Sequence, residues 1–233
     1  MKHLNQFITE YIINKKLDKP IDSEHNYKYF PETKRELIDN IKELLDKEET
    51  DLNCIDTSKI TNMSRLFELY ENINFDISEW DVSNVTNMSH MFYNCKKFDC
   101  DLSNWNVSKV KNMSCMFNRC DLFKGKGLEN WNVSNVKDMS YMFLKCANLN
   151  CDLSKWNVSK VENMSSMFYE CKNFNCDLSN WNVSNVFDIN DMFYDCIKFN
   201  CDLSMWDISK AYRRFGTFYN CTSLKNKPSW YQE

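Results

Sequence analysis

Glycine and proline are scarce, three of each in 233 residues, and histidine is equally rare. So few histidines supply poorly the Cys/His sets that zinc prefers. The sequence holds no Ser-His-Asp or Cys-His pattern and no glycine-rich phosphate loop, so the chain reads as non-enzymatic and without a cofactor. No stretch approaches the roughly 18 consecutive apolar residues of a membrane-spanning helix. No basic run occurs, and 29 basic against 33 acidic residues give a net charge of −4, which makes nucleic acid a poor partner. The start, from Met1 through Phe7 to Glu10, lacks the apolar core of a secretory signal, and no cysteine follows an early apolar run. The expected location is therefore cytoplasmic or on a larger particle.

What is present is a repeat. Tryptophan falls at 80, 105, 131, 156, 181 and 206, in steps of 25, 26, 25, 25 and 25. Apolar columns run beside it. Ile77, Leu102, Leu128, Leu153, Leu178 and Leu203 stand three residues before, and Val82, Val107, Val133, Val158, Val183 and Ile208 two after. Paired methionines stand eight and eleven after the Trp, as in Met88 and Met91. Phe92 and its equivalents follow at twelve, a cysteine at fifteen, and Phe or Leu at eighteen. A worn copy starts at Ile55, which makes seven units. A fixed period of this length is the mark of a solenoid, in which each coil buries its apolar face only against its neighbours.

Trp and the Val two later share one side of an extended segment. From the first Met, apolar residues at relative positions 0, 3, 4, 7 and 10 form one stripe of an α-helix, with Asn87, Asn112, Asp138, Asn163 and Asp188 placed as N-caps. The predicted fold is α/β, seven strand-turn-helix coils with a parallel sheet, about 34 Å long at a strand spacing of about 4.8 Å.

These residues carry a resemblance. Leu102-x-x-Trp105-x-Val107 resembles the L-x-x-L-x-L core of a leucine-rich repeat. The M-F-x-x-C-x-x-F half is similar to BspA-like repeats of bacterial surface proteins. The phrase W-D-V-S-N-V-T-N-M-S-x-M-F, from Trp80 to Phe92, most resembles the 25-residue repeat of mycoplasma-type lipoproteins and their relatives. The resemblance covers roughly residues 51 to 224 and implies a leucine-rich-repeat-like solenoid in an interaction protein, often surface-exposed. Valine stands where the leucine-rich pattern usually carries Asn, so a buried Asn ladder is not expected.

Residues 1–50 do not repeat. Leu4, Phe7, Ile8, Tyr11 and Ile12 form one helical stripe, and Leu37, Ile38, Ile41, Leu44 and Leu45 a second behind a Thr33/Glu36 capping box. They read as a helical cap over the first coil, or as a docking arm. The repeat array occupies 51–224, and the tail, 225–233, folds over the last coil through Trp230.

Twelve cysteines fall mainly in two columns: Cys95, Cys120, Cys146, Cys171, Cys196 and Cys221, then Cys100, Cys151, Cys176 and Cys201. Buried reduced thiols fit the first column, while disulfides between coils and C-x4-C metal pairs remain alternatives for the second. An Asp column at 51, 76, 101, 152, 177 and 202 fits turns that bond their own backbone, or a calcium comb. Gly127 marks a bulge at the 26-residue step.

Two surfaces qualify for a protein partner. The first is the outward sheet-face column Asp81, Asn106, Asn132, Asn157, Asn182 and Asp207, whose bland reading is a solvated polar ladder. The second is the tyrosine column Tyr93, Tyr169, Tyr194 and Tyr219 on the helix side. The expected function is protein–protein interaction or adhesion. Structural self-association is the alternative, and a metal- or redox-responsive cysteine module the third.

Overall fold

The computed structural model describes residues 26–231. The first predicted helical stripe, Leu4 to Ile12, lies outside them. The second is present. Helix α1 spans Lys34–Asp46, with Thr33 accepting from the Glu36 amide and the Glu36 carboxylate returning to the Thr33 backbone. Its apolar stripe buries Leu37, Ile41 and Leu44 in the same continuous core as the repeats. Ahead of it, Tyr29 bridges Ile55 in parallel, with Lys28 and Tyr29 amides donating to the Cys54 carbonyl.

The repeats do not have the predicted fold. Among the described residues α1 is the one α-helix, a short 3-10 turn covers Leu128–Asn130, and every β-bridge is isolated. Among the described residues there is no continuous parallel sheet and no α-helix in any unit, so the units are not the expected leucine-rich-repeat-like strand-turn-helix coils. Each unit is a run of reverse turns. In the unit of Trp80 the amides of Trp80, Val85, Met91, Cys95 and Phe98 donate to the carbonyls of Ile77, Val82, Met88, Phe92 and Cys95, each three residues back. The apolar columns are therefore the first and last residues of successive turns, and the polar residues between them are the turn tips.

Side chains fix three of these turns by bonding the amide two residues on. Asp76 accepts from Ser78, Asp81 from Ser83 and Asn87 from Ser89, at 2.9 Å each. The pattern recurs through Asp101, Asn106 and Asn112. These Asx turns use the short Asp and Asn side chains as stand-ins for a backbone carbonyl. Asn87 and its column do accept a backbone N–H, as an N-cap would, but no helix follows.

Backbone conformation explains why. Tyr141 and Lys145 have φ of 58° and 62°, and their equivalents share the left-handed region from His90 and Asn94 to Gly216 and Asn220, while in the first unit Arg65 does so without Leu69. Two left-handed residues four apart break any right-handed helix in that segment. They also turn alternate amides sideways. Met139, Tyr141, Phe143 and Lys145 donate to the carbonyls of Asn163, Ser165, Met167 and Tyr169 in the next unit, at 2.7–3.0 Å. This segment is thus directional, its alternate amides pointing toward the C-terminal end, whereas the Lys137 amide beside it points back to the Lys111 carbonyl of the preceding unit.

Inside the stack, like sits on like. Trp105, Trp131, Trp156, Trp181 and Trp206 lie with centroids 6.2–6.5 Å apart and planes within 3° of parallel. Each indole also donates across a junction, as Trp156 Nε1 does to the Leu128 carbonyl at 2.7 Å. Trp230 continues the ladder to the Leu203 carbonyl at 3.2 Å, so the tail begins an eighth turn. At the 26-residue step, Gly125 and Gly127 have φ of 86° and 93°. A Cβ on Gly127 would lie 2.2 Å from the Ser103 nitrogen, so only glycine fits the bulge.

Candidate interaction site

The first cysteine column has a structural task. Cys95, Cys120, Cys146, Cys171, Cys196 and Cys221 each point Sγ at the carbonyl of a phenylalanine in the preceding unit, at 2.9–3.1 Å. Only a protonated thiol donates there. Burial holds it protonated, pushing Cys95 and Cys221 up to about 12 and Cys120, Cys146, Cys171 and Cys196 well above the ordinary thiol value. These are buried hydrogen-bond donors and poor nucleophiles.

The second column works differently. The sulfur of Cys176 accepts from the Leu153 amide at 3.1 Å and faces the Asp152 carboxylate at 3.6 Å. Cys201 repeats this with Leu178 and Asp177. Burial raises Cys100, Cys176 and Cys201 to about 11 and Cys151 to about 12. Where the bulge removes the cysteine, the Lys126 carbonyl takes over the acceptor role for Leu102, and its ammonium pairs with Asp101 at 2.7 Å. All twelve thiols are free, and no group of three or more potential metal ligands exists among the described residues.

The expected sheet face becomes a row of turn tips. Asp81, Asn106, Asn132, Asn157, Asn182 and Asp207 are exposed, and each holds the amide of the Ser two residues on at 2.9–3.2 Å. One acceptor oxygen is thereby committed to the fold. The other half of each carboxamide or carboxylate faces solvent.

The tyrosine column is brought together only in part. Tyr169, Tyr194 and Tyr219 stack at 4.5 and 4.7 Å. Tyr93 stands apart, beside half-buried His90, because Asn118 and Leu144 occupy the column between. Asn118 Oδ1 is buried with no hydrogen-bond partner among the described residues. Burial first, and then the Arg65 charge, lower the His90 pKa.

At the C-terminal end the tyrosine stack opens into a cleft of about 680 Å³, lined by Asp191, Tyr194, Phe215, Tyr219, Asn220 and Tyr231 among others. Sequence reading named Tyr194 and Tyr219 but missed the cleft and Phe215. Phe215 occupies the column of Ser140 and Ser165, which are 6% and 7% exposed, yet it is itself 80% exposed. Tyr212 and Met205, in the same unit, are 75% and 87% exposed. The available signal was that apolar side chains replace polar ones at turn-tip positions toward the C-terminal end, as Phe187 and Tyr212 do in the column of Lys137 and Glu162.

No helix among the described residues is long and apolar enough to cross a membrane. No curated protein matches the chain. A profile of the family described as "Mycoplasma protein of unknown function, DUF285" matches twice, over residues 35–127 and 119–231. Those two matches take in α1 and all seven units, and the chain belongs to that family of repeat proteins.

Proposed function

We propose that this chain is a non-enzymatic binding protein that presents a rigid repeat surface to a protein partner, in the manner of an adhesion or scaffold module. The observation that carries the reading is the Tyr169–Tyr194–Tyr219 stack, a fixed aromatic row leading into the open cleft. Rigid tyrosines supply contact area at small entropic cost. The likeness of M-F-x-x-C-x-x-F to BspA-like surface repeats favours the same reading. The cysteine module is the weaker alternative, since its thiols serve as buried donors and acceptors within the stack.

Affinity capture from source cells tests it, with three baits. These are wild type, the quadruple variant with Asn106, Asn132, Asn157 and Asn182 changed to Asp, and the triple variant with Tyr169, Tyr194 and Tyr219 changed to Ala. Aspartate keeps the turn-holding oxygen, as Asp81 and Asp207 already do. A defined partner lost from the tyrosine variant supports the reading. A partner lost only from the Asn variant moves the contact to the turn tips, and capture of none by any bait contradicts it.

A further inference from the structure

The two ends of the stack differ. At the N-terminal end the Ser64 carbonyl, whose equivalent Ser89 receives the Arg65 amide, is instead bonded by the Lys34 ammonium of α1. That end is covered. At the other end the amides of Arg214, Gly216, Phe218 and Asn220 stand where those of Ile189, Asp191, Phe193 and Asp195 donate to a following unit. Among the described residues no backbone carbonyl meets them. The tail covers part of this end, with Trp230 and Tyr231 lying 5.6 and 5.1 Å from the Phe218 ring. It leaves Phe215 and Tyr219 80% and 57% exposed.

We propose that the edge Arg213–Leu224 docks an extended polypeptide segment of a partner protein, laid in parallel as one further turn. This rests on the binding-protein reading and names the surface and the chemistry. A row of donors demands a row of acceptors, which backbone carbonyls at alternate residues provide. Phe215, Tyr219 and the cleft then receive an apolar side chain of the segment. A second copy of the chain fits poorly. Paired through the same ends it would set donors against donors, and at its other end the Lys34 ammonium of α1 already holds the Ser64 carbonyl that would be needed. An exposed amide edge is the usual template for strand addition.

The test uses the full chain and a synthetic peptide of residues 163–174, Asn163 to Phe174, which carries the turn pattern of an internal unit. A scrambled peptide serves as control, under reducing conditions. Calorimetry should show saturable one-to-one binding of the native-order peptide alone. Amide exchange should slow at Arg214, Gly216 and Asn220 and stay unchanged at Tyr141. The double variant Phe215→Ser/Tyr219→Ser, which places at 215 the serine of its column, should fold and bind at least tenfold more weakly. No binding at millimolar peptide, equal binding of the scrambled peptide, or unchanged exchange at those amides would overturn the proposal. So would concentration-dependent dimerisation that protects the same amides without peptide. A cellular partner captured regardless of Phe215→Ser/Tyr219→Ser would sink this surface while leaving the binding-protein reading intact.

Discussion

Cys146 points its thiol at the carbonyl of Phe117, 2.9 Å away in the preceding unit. The same contact recurs at five other junctions, so a cysteine acts here as a short, soft donor inside an aromatic stack. Removing it leaves the buried carbonyl with one donor fewer, since the amide three residues on still bonds it, as Cys120 does Phe117 and Cys146 does Phe143. Cys171→Ala, which loses one of the two hydrogen bonds to the Phe143 carbonyl, should cost about 0.5–1.5 kcal/mol, and Cys171→Ser, which keeps a donor, measurably less. Urea unfolding of both variants decides this, and equal losses would mean that the sulfur only fills space.

The same thiols make stability depend on alkaline pH. Unfolded cysteines ionise near pH 8.5, whereas in the folded chain Cys95, Cys151 and Cys221 are pushed up to about 12 and Cys100, Cys176 and Cys201 to about 11. Their folded values are raised, so their contribution is complete below the unfolded value. It is lost as pH climbs through the folded values, at about 1.4 kcal/mol per pH unit for each thiol. Tm should hold to about pH 8.5 and fall steeply by pH 11. A flat Tm across that range would contradict the buried-donor assignment.

Trp156 stacks on a tryptophan on both sides and bonds the Leu128 carbonyl, whereas Trp206 stacks on Trp181 alone. Trp156→Ala should cost about 3–5 kcal/mol, and Trp206→Ala less. Equal and small losses in chemical denaturation would show that the column is not core.

Arg119 is exposed with φ of 61°. Arg119→Gly should be neutral or stabilising by about 1 kcal/mol, since the left-handed cost of roughly 1–2 kcal/mol is relieved. Arg119→Val, β-branched, should destabilise. Thermal melts that rank Val above Gly would argue against the left-handed turns.

Asn118 buries an unpaired side-chain oxygen in a column where the next residue is Leu144. Asn118→Leu should raise stability by about 1 kcal/mol, because an unsatisfied buried polar atom costs about 1–3 kcal/mol. A loss of stability in the same urea titration would place an ordered partner at that oxygen.

Much of the unit was legible in the sequence, though not its backbone. The 25-residue register, the core columns and α1 with its Thr33 box follow directly from spacing. The helix reading failed because apolar residues three apart share a side in a helix and also begin and end a reverse turn. The deciding signal was chemical. Asn94, Asp191, Asp195, Gly216 and Asn220 fall in the two columns that adopt positive φ, and these residue types tolerate it. The thrice-repeated Asx-x-Ser phrase was likewise a turn signal. The open amide edge was not legible, because it depends on which way alternate amides point once the units stack.

The turn-built stack is tested most directly by NMR scalar coupling across hydrogen bonds in the unit of Trp156. The Phe168 amide, whose nitrogen lies 2.9 Å from the Met192 carbonyl oxygen in the next unit, should couple to that carbonyl carbon. Coupling of Phe168 to Met164, four residues back, would mean that the segment is a helix after all and would contradict the account.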